Sequence, residues 1–140
     1  MAQIPQSVRD LLATGPFGHL VTIDPDGRPH VTLTWAGFEG DELVFATFPD
    51  QLKIRSMRRD PRVTISFEAK ENTGQGLHPY AVISGLARVT EGGALELMDR
   101  LAPAYMGPGA KFPMREVPPG FVVHLTVDRI YGVGPWGHDF

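Results

Sequence analysis

The sequence predicts a mainly β protein, a small closed or partly closed barrel of six mostly antiparallel strands with short helices at the joints. Three observations lead there. Short apolar/polar alternations recur along the chain, as where Val63, Ile65 and Phe67 interleave with Arg62, Thr64, Ser66 and Glu68. Turn-forming groups separate them, most clearly Asp24-Pro-Asp-Gly27. Only two or three segments carry helical spacing. The 140 residues suit one domain spanning 1–140, long enough to bury a core without staples.

The elements follow in order. Pro5 to Ala13 reads as a short helix, with Pro5 in its first turn, Val8, Leu11 and Leu12 on one side, and Gly15 ending it. Phe17 to Ile23 alternates as a strand and turns at Asp24–Gly27 into a second, His30 to Trp35. There Val31, Leu33 and Trp35 share one face, and His30, Thr32 and Thr34 the other. Gly37 to Gly40 turns the chain into Glu42–Thr47, so two successive hairpins are expected to form an antiparallel meander. A helix is expected from Asp50 until Pro61 stops it. The Val63–Phe67 strand follows, then a loop from Lys70 to Pro79. Tyr80 to Thr90 is a long strand with Gly85 at a bulge or bend. Ala94, Met98, Leu101 and Tyr105 give a helix over Gly93–Tyr105 despite Pro103. Residues 107–120 hold four prolines and three glycines and are irregular, and Phe121, Val123, Leu125 and Val127 mark the last strand.

Composition narrows the function. A net charge of −3 argues against non-specific nucleic-acid binding. The positive charge is instead concentrated at Lys53, Arg55, Arg58, Arg59 and Arg62, which suits a small anionic ligand. The chain has no cysteine, which excludes disulfides, thiolate metal sites and cysteine nucleophiles. No apolar run approaches the length of a membrane span and no secretory signal is visible, so a cytoplasmic location is expected. His19, His30, His78, His124 and His138 are scattered without metal-site spacing. Glu42, Glu68 and Asp128 are isolated, so no catalytic acid–base pair is nominated. Glycine-rich nucleotide loops and the nucleophile elbow are absent from the sequence.

Three features carry chemistry. Lys53 lies in the first turn of a helix that directly follows a strand, where free N–H groups, the dipole and an ammonium can together hold a phosphate. Ser56 shares its face; the alternative is a solvated polar face with Ile54 and Met57 buried. The strand face Thr32 and Thr34, beside Ala46 and Thr47, leaves room for a flat ring with a polar edge, or is simply the solvent side of the barrel. Trp136, after a Gly-Pro turn, can stack on a ring, pack on a partner subunit or cover the core.

The order of these elements resembles the flavin- and deazaflavin-binding split-barrel superfamily, which contains pyridoxamine 5′-phosphate oxidase. It is most similar to the F-420-dependent oxidoreductase group of actinobacteria. The resemblance is carried by His19-Leu-Val-Thr-Ile-Asp-Pro-Asp-Gly-Arg-Pro-His30, Phe45-Ala-Thr47, Lys53-Ile-Arg-Ser-Met-Arg-Arg-Asp-Pro-Arg62 and Tyr80-Ala-Val-Ile-Ser-Gly-Leu-Ala-Arg-Val89. It implies a homodimer of split barrels with two cofactor sites at the subunit interface. Lys53, with Ser56 and Arg59, would bind the cofactor phosphate. Val31, Thr32, Leu33, Thr34 and Trp35, with Ala46 and Thr47, would line the ring. Tyr80 and Trp136, from the same or the other subunit, would complete the pocket.

Two departures refine this. Pyridoxamine phosphate oxidases end in an arginine-rich segment that grips the substrate phosphate, whereas this chain has no arginine after Arg129, which counts against that activity. Leu52 precedes Lys53 where flavin mononucleotide (FMN) enzymes are often basic, which favours the deazaflavin branch. The expected function is hydride transfer between reduced coenzyme F-420 and a small unsaturated organic substrate. The cofactor would do the hard chemistry, and any proton would come from solvent or Tyr80. An FMN-binding flavoprotein and a non-enzymatic cofactor-binding protein are the alternatives.

Overall fold

The computed structural model describes residues 3–48, 51–72, 74 and 76–139. Helix α1 (Gln6–Ala13) buries Val8, Leu11 and Leu12. It ends at Gly15, whose φ is +75° and where an added Cβ would lie 2.0 Å from the Ala104 carbonyl oxygen, so there is no room for a side chain. Strands β1 (Gly18–Ile23) and β2 (Pro29–Thr34) form the first hairpin, and β3 (Gly37–Glu39) and β4 (Glu42–Thr47) the second. Helix α2 (Gln51–Arg59) comes next, then β5 (Arg62–Glu68), β6 (Tyr80–Glu91), α3 (Ala94–Met106), β7 (Phe121–Gly134) and β8 (Gly137–Asp139). Asp50, expected to start the second helix, lies outside the described residues.

The strands make one antiparallel sheet in the order β2-β1-β5-β6-β7-β4-β3, with β8 paired to β7. All six expected strands are present, and two three-residue strands, β3 and β8, raise the number among the described residues to eight. The expected meander is not formed, because β2 and β3 lie at opposite ends of the sheet. The chain leaves β2 through Trp35 and Ala36, and the Ala36 N–H donates to the Tyr105 hydroxyl at 2.9 Å instead of to a neighbouring strand.

The curled sheet closes around Leu20, Leu43, Phe45, Ile65, Phe67, Ile83, Val123 and Leu125, all essentially buried, with α1 and the Ile54 and Met57 side of α2 packed against them. A second, smaller cluster of Val44, Leu97 and Leu101 packs α3 on the other face of β4. The bulge expected at Gly85 is present. Gly85 pairs with Val127 and Ser84 with Arg129, which leaves Asp128 unmatched. A Cβ at Gly85 would lie 2.0 Å from the Thr126 oxygen, so the tight crossing requires glycine. The register shift also explains why β7 runs to Gly134, past the Val127 at which its alternation breaks.

Candidate ring site and anion helix

The ends of β2 and β4, which do not pair, flank a cavity of about 400 Å³. Leu33, Thr34 and Trp35 line one side, Ala46, Thr47 and Phe48 the other, with Phe17, Met98 of α3 and Phe112 completing the wall. Trp35 is held flat against Tyr105, with ring centroids 4.9 Å apart and planes within 7°. Phe112 meets Trp35 edge-on at 5.8 Å and stacks on Phe48 at 5.7 Å. Such walls suit a flat π-system, since offset stacks and edge contacts are the favoured aromatic geometries.

None of these lining side chains is ionisable, so the cavity presents hydroxyls and ring faces without charge. The Thr34 hydroxyl donates to the Trp35 carbonyl at 2.9 Å, and that of Thr47 to the Phe48 carbonyl at 3.0 Å. Each oxygen still has lone pairs with which to accept from a ligand N–H. The Tyr105 hydroxyl donates to the Pro16 carbonyl at 2.8 Å, and burial raises its pKa above the ordinary phenol value. Thr32 is partly buried and its hydroxyl has no partner.

On β2 the alternation is as expected, and of the two readings of the Thr32 and Thr34 face the solvent side does not hold. Thr32 and Thr34 pair with Leu20 and Gly18 on the inner side, while Val31 and Leu33 are 60% and 61% exposed. Leu33 both lines the cavity and faces outward. Val31 lies on the outer face only, and neither it nor Thr32 is part of the lining.

Helix α2 starts shortly after β4 and carries three of the expected anion contacts. Lys53 is half-buried in its first turn. Ser56, one turn on, is fully buried and its hydroxyl has no partner. Arg59 Nη2 donates to the carbonyls of Ile23 and Asp24 at 3.1 and 2.7 Å, tying the helix end to the β1–β2 turn. Beyond it, the Arg62 side chain and then the Arg62 N–H bond the Asp60 carboxylate and bring its pKa down to about 2.

Tyr80 and Trp136 sit together, the indole N–H donating to the Tyr80 carbonyl at 2.8 Å. Within one chain they stand apart from the ring cavity: Trp136 lines a separate space of about 470 Å³ with Leu11, Lys70 and Pro79. The sequence reading missed Phe17, Phe48, Met98, Tyr105 and Phe112. Met98 and Tyr105 were visible only as members of a helical stripe, and nothing local in the other three sets them apart. Among the described residues no cluster of three or more His, Asp or Glu is placed to hold a metal, and no helix is long and apolar enough to cross a membrane.

The chain matches a family model described as pyridoxamine 5′-phosphate oxidase over residues 4–134. No curated protein matches it. Among solved structures it is similar to an F420 reductase, at 23% identity and a TM-score of 0.74, covering 91% of this chain and 98% of that one. It is similar to a conserved hypothetical protein from Mycobacterium tuberculosis, at 22% identity and a TM-score of 0.69, with 94% and 85% covered. It is also similar to a heme binding protein from Mycobacterium smegmatis, at 22% identity and a TM-score of 0.65, with 99% of this chain but 57% of that one covered. At such identities the structural likenesses establish fold alone. The family match runs from before α1 to the end of β7, and by it this chain belongs to the pyridoxamine 5′-phosphate oxidase family of split β-barrels.

Proposed function

We propose that the protein is an F-420-dependent oxidoreductase in which the deazaflavin ring lies in the cavity between β2 and β4. The observation that carries this reading is an uncharged, aromatic-walled cavity of about 400 Å³ followed closely in the chain by a helix with Lys53 in its first turn. The residues fit such a group. Thr34 and Thr47 offer hydroxyls to the polar edge of a ring, Trp35 and Phe112 offer faces and edges, and Lys53 offers a cation to a phosphate. Ser56, whose buried hydroxyl has no partner, and Arg59 are the further candidate phosphate contacts.

A bound, reduced F-420 would supply the hydride for reducing an electron-poor double bond, with the accompanying proton drawn from solvent. The protein orients the ring and excludes water. That division of labour accounts for a lining without an acid, a base or a nucleophile.

The protein acts as a homodimer in this reading. Val31 and Leu33 are exposed on the outer face of β2, and Leu33 also lines the cavity, so a second copy seated there would bury apolar surface and close the ring site. The partner's Tyr80 and Trp136 would then complete the pocket.

Turnover tests the proposal: purified protein with reduced F-420 and a panel of enones and quinones should regenerate the oxidised cofactor. Tight F-420 binding with no turnover on any of them favours a cofactor-binding protein. A protein that purifies yellow and retains FMN favours the flavin alternative.

A further inference from the structure

Residues 107–120 form an irregular segment between α3 and β7, yet they do not lie loose. At their end, Gly92 and Ala94 donate to the carbonyls of Gly120 and Pro119 at 2.7 and 3.1 Å. Their middle is held by one carboxylate. Asp99, the neighbour of the cavity residue Met98 on α3, accepts the Phe112 N–H at 2.9 Å. It also accepts a fork from Arg115, with Nη1 at 2.7 Å and Nη2 at 3.1 Å. Arg115 Nη1 donates in turn to the Phe112 carbonyl at 3.0 Å. Both backbone polar groups of Phe112 are thus fastened, and among the described residues the polar ties from 111–117 to the rest of the protein all run to Asp99. Two-pronged arginine–carboxylate pairing fixes geometry as well as supplying energy. What it fixes is the aromatic ring that stands between Trp35 and Phe48 in the cavity wall.

We propose that Phe112 sets the size of planar ligand the cavity accepts, with Asp99 and Arg115 as positioning residues that hold it in place. This rests on the reading of the cavity as a ring site. The side of the cavity formed by Phe48 and Phe112 carries no polar side-chain group, so there flat ligands are discriminated chiefly by length. An anchored phenylalanine makes that limit sharp, whereas a swinging one would yield to larger ligands.

The experiment has two arms. The first uses no cofactor. In a Trp136→Phe background, Trp35 is the remaining tryptophan of the two, so its fluorescence reports the wall directly. Acrylamide quenching of Trp35 should rise about twofold or more on Asp99→Asn or Arg115→Gln, and less on Arg115→Lys, which keeps the charge but not the fork. The second arm keeps both tryptophans and titrates 2-naphthol, lumichrome and 1-hydroxypyrene (two, three and four fused rings) into the wild-type chain and its Phe112 variants. Phe112→Ala should bind 1-hydroxypyrene at least about tenfold more tightly than wild type, with Phe112→Leu between them. Circular dichroism confirms that each variant is folded. Unchanged quenching in both latch variants, or the same size limit with phenylalanine, leucine and alanine at 112, overturns the proposal. A wild-type protein that does not bind F-420, but whose size limit shifts as stated, removes the F-420 reading and leaves this one standing.

Discussion

Trp35 and Tyr105 lie face to face, 4.9 Å apart and 7° from parallel, and the Tyr105 hydroxyl simultaneously accepts from the Ala36 N–H at 2.9 Å and donates to the Pro16 carbonyl at 2.8 Å. One side chain of α3 therefore ties together the end of β2, the entry to β1 and the wall of the ring cavity. Ala36 is buried, so its N–H has no solvent to fall back on.

Tyr105→Phe keeps the stack and removes every hydrogen bond of the hydroxyl, to Ala36 and to Pro16. The orphaned Ala36 N–H should lower stability by about 1–3 kcal/mol, read as a drop in the urea midpoint at unchanged slope. Unchanged stability would mean that the hydroxyl is not what holds the β2 exit.

Ser56→Ala removes a buried hydroxyl that has no partner in the protein. The ligand-free protein should gain stability, by up to about 1 kcal/mol, because an unsatisfied polar group costs more buried than exposed. If the same hydroxyl meets the cofactor phosphate, F-420 affinity should fall in the variant that has become more stable. Thermal melts and a binding titration read the two signs separately.

Stability should fall in acid, modestly because both carboxylates involved are screened by solvent. Asp60 has a folded pKa of about 2 against an ordinary 3.8, chiefly through its hydrogen bond from the Arg62 side chain. Asp99 is also lowered, chiefly by Arg115, against some opposition from desolvation. For a depressed carboxylate the stabilisation is fully present above the unfolded value and is lost as pH falls through the folded one. The loss should therefore run from about pH 4 downward, and Asp60→Asn should flatten it. Urea midpoints between pH 6 and 2 measure this, and identical slopes for wild type and variant would refute it.

Val31→Asp and Leu33→Asp place a charge on the outer face of β2, where the wild-type side chains are 60% and 61% exposed. Folding should survive, since little core is touched, but sedimentation should show a dimer becoming a monomer. A wild-type chain that sediments as a monomer at all concentrations would remove the homodimer from the account.

The strands were legible because their alternation is local, and so was the bulge, since Gly85 is a lone glycine within a strand pattern. What local pattern could not supply was which face points inward. On β2 the phase was correct, but the apolar Val31 and Leu33 face outward and Thr32 inward, because burial there depends on which strands close the sheet. The order of strands was hidden for a related reason: the exit from β2 is decided by Tyr105, 69 residues from its partner Ala36. The ring cavity was half legible. Thr34, Ala46 and Thr47 stand around one space as the small-residue strand face suggested, while Thr32 of that face lies outside the lining; Leu33 and Trp35, implied only by the family resemblance, line it as well. Phe112 could not be found, since its place depends on Asp99 and Arg115 meeting across an irregular segment.

Whether a deazaflavin sits between β2 and β4 with its phosphate at Lys53 is read by a fluorescence titration of F-420 into the wild-type protein and Lys53→Ala, with FMN as competitor. F-420 binding should be saturable, weakened about tenfold or more by loss of the ammonium and poorly displaced by FMN. Equal affinity in the two proteins, or no binding to the wild type, would contradict it.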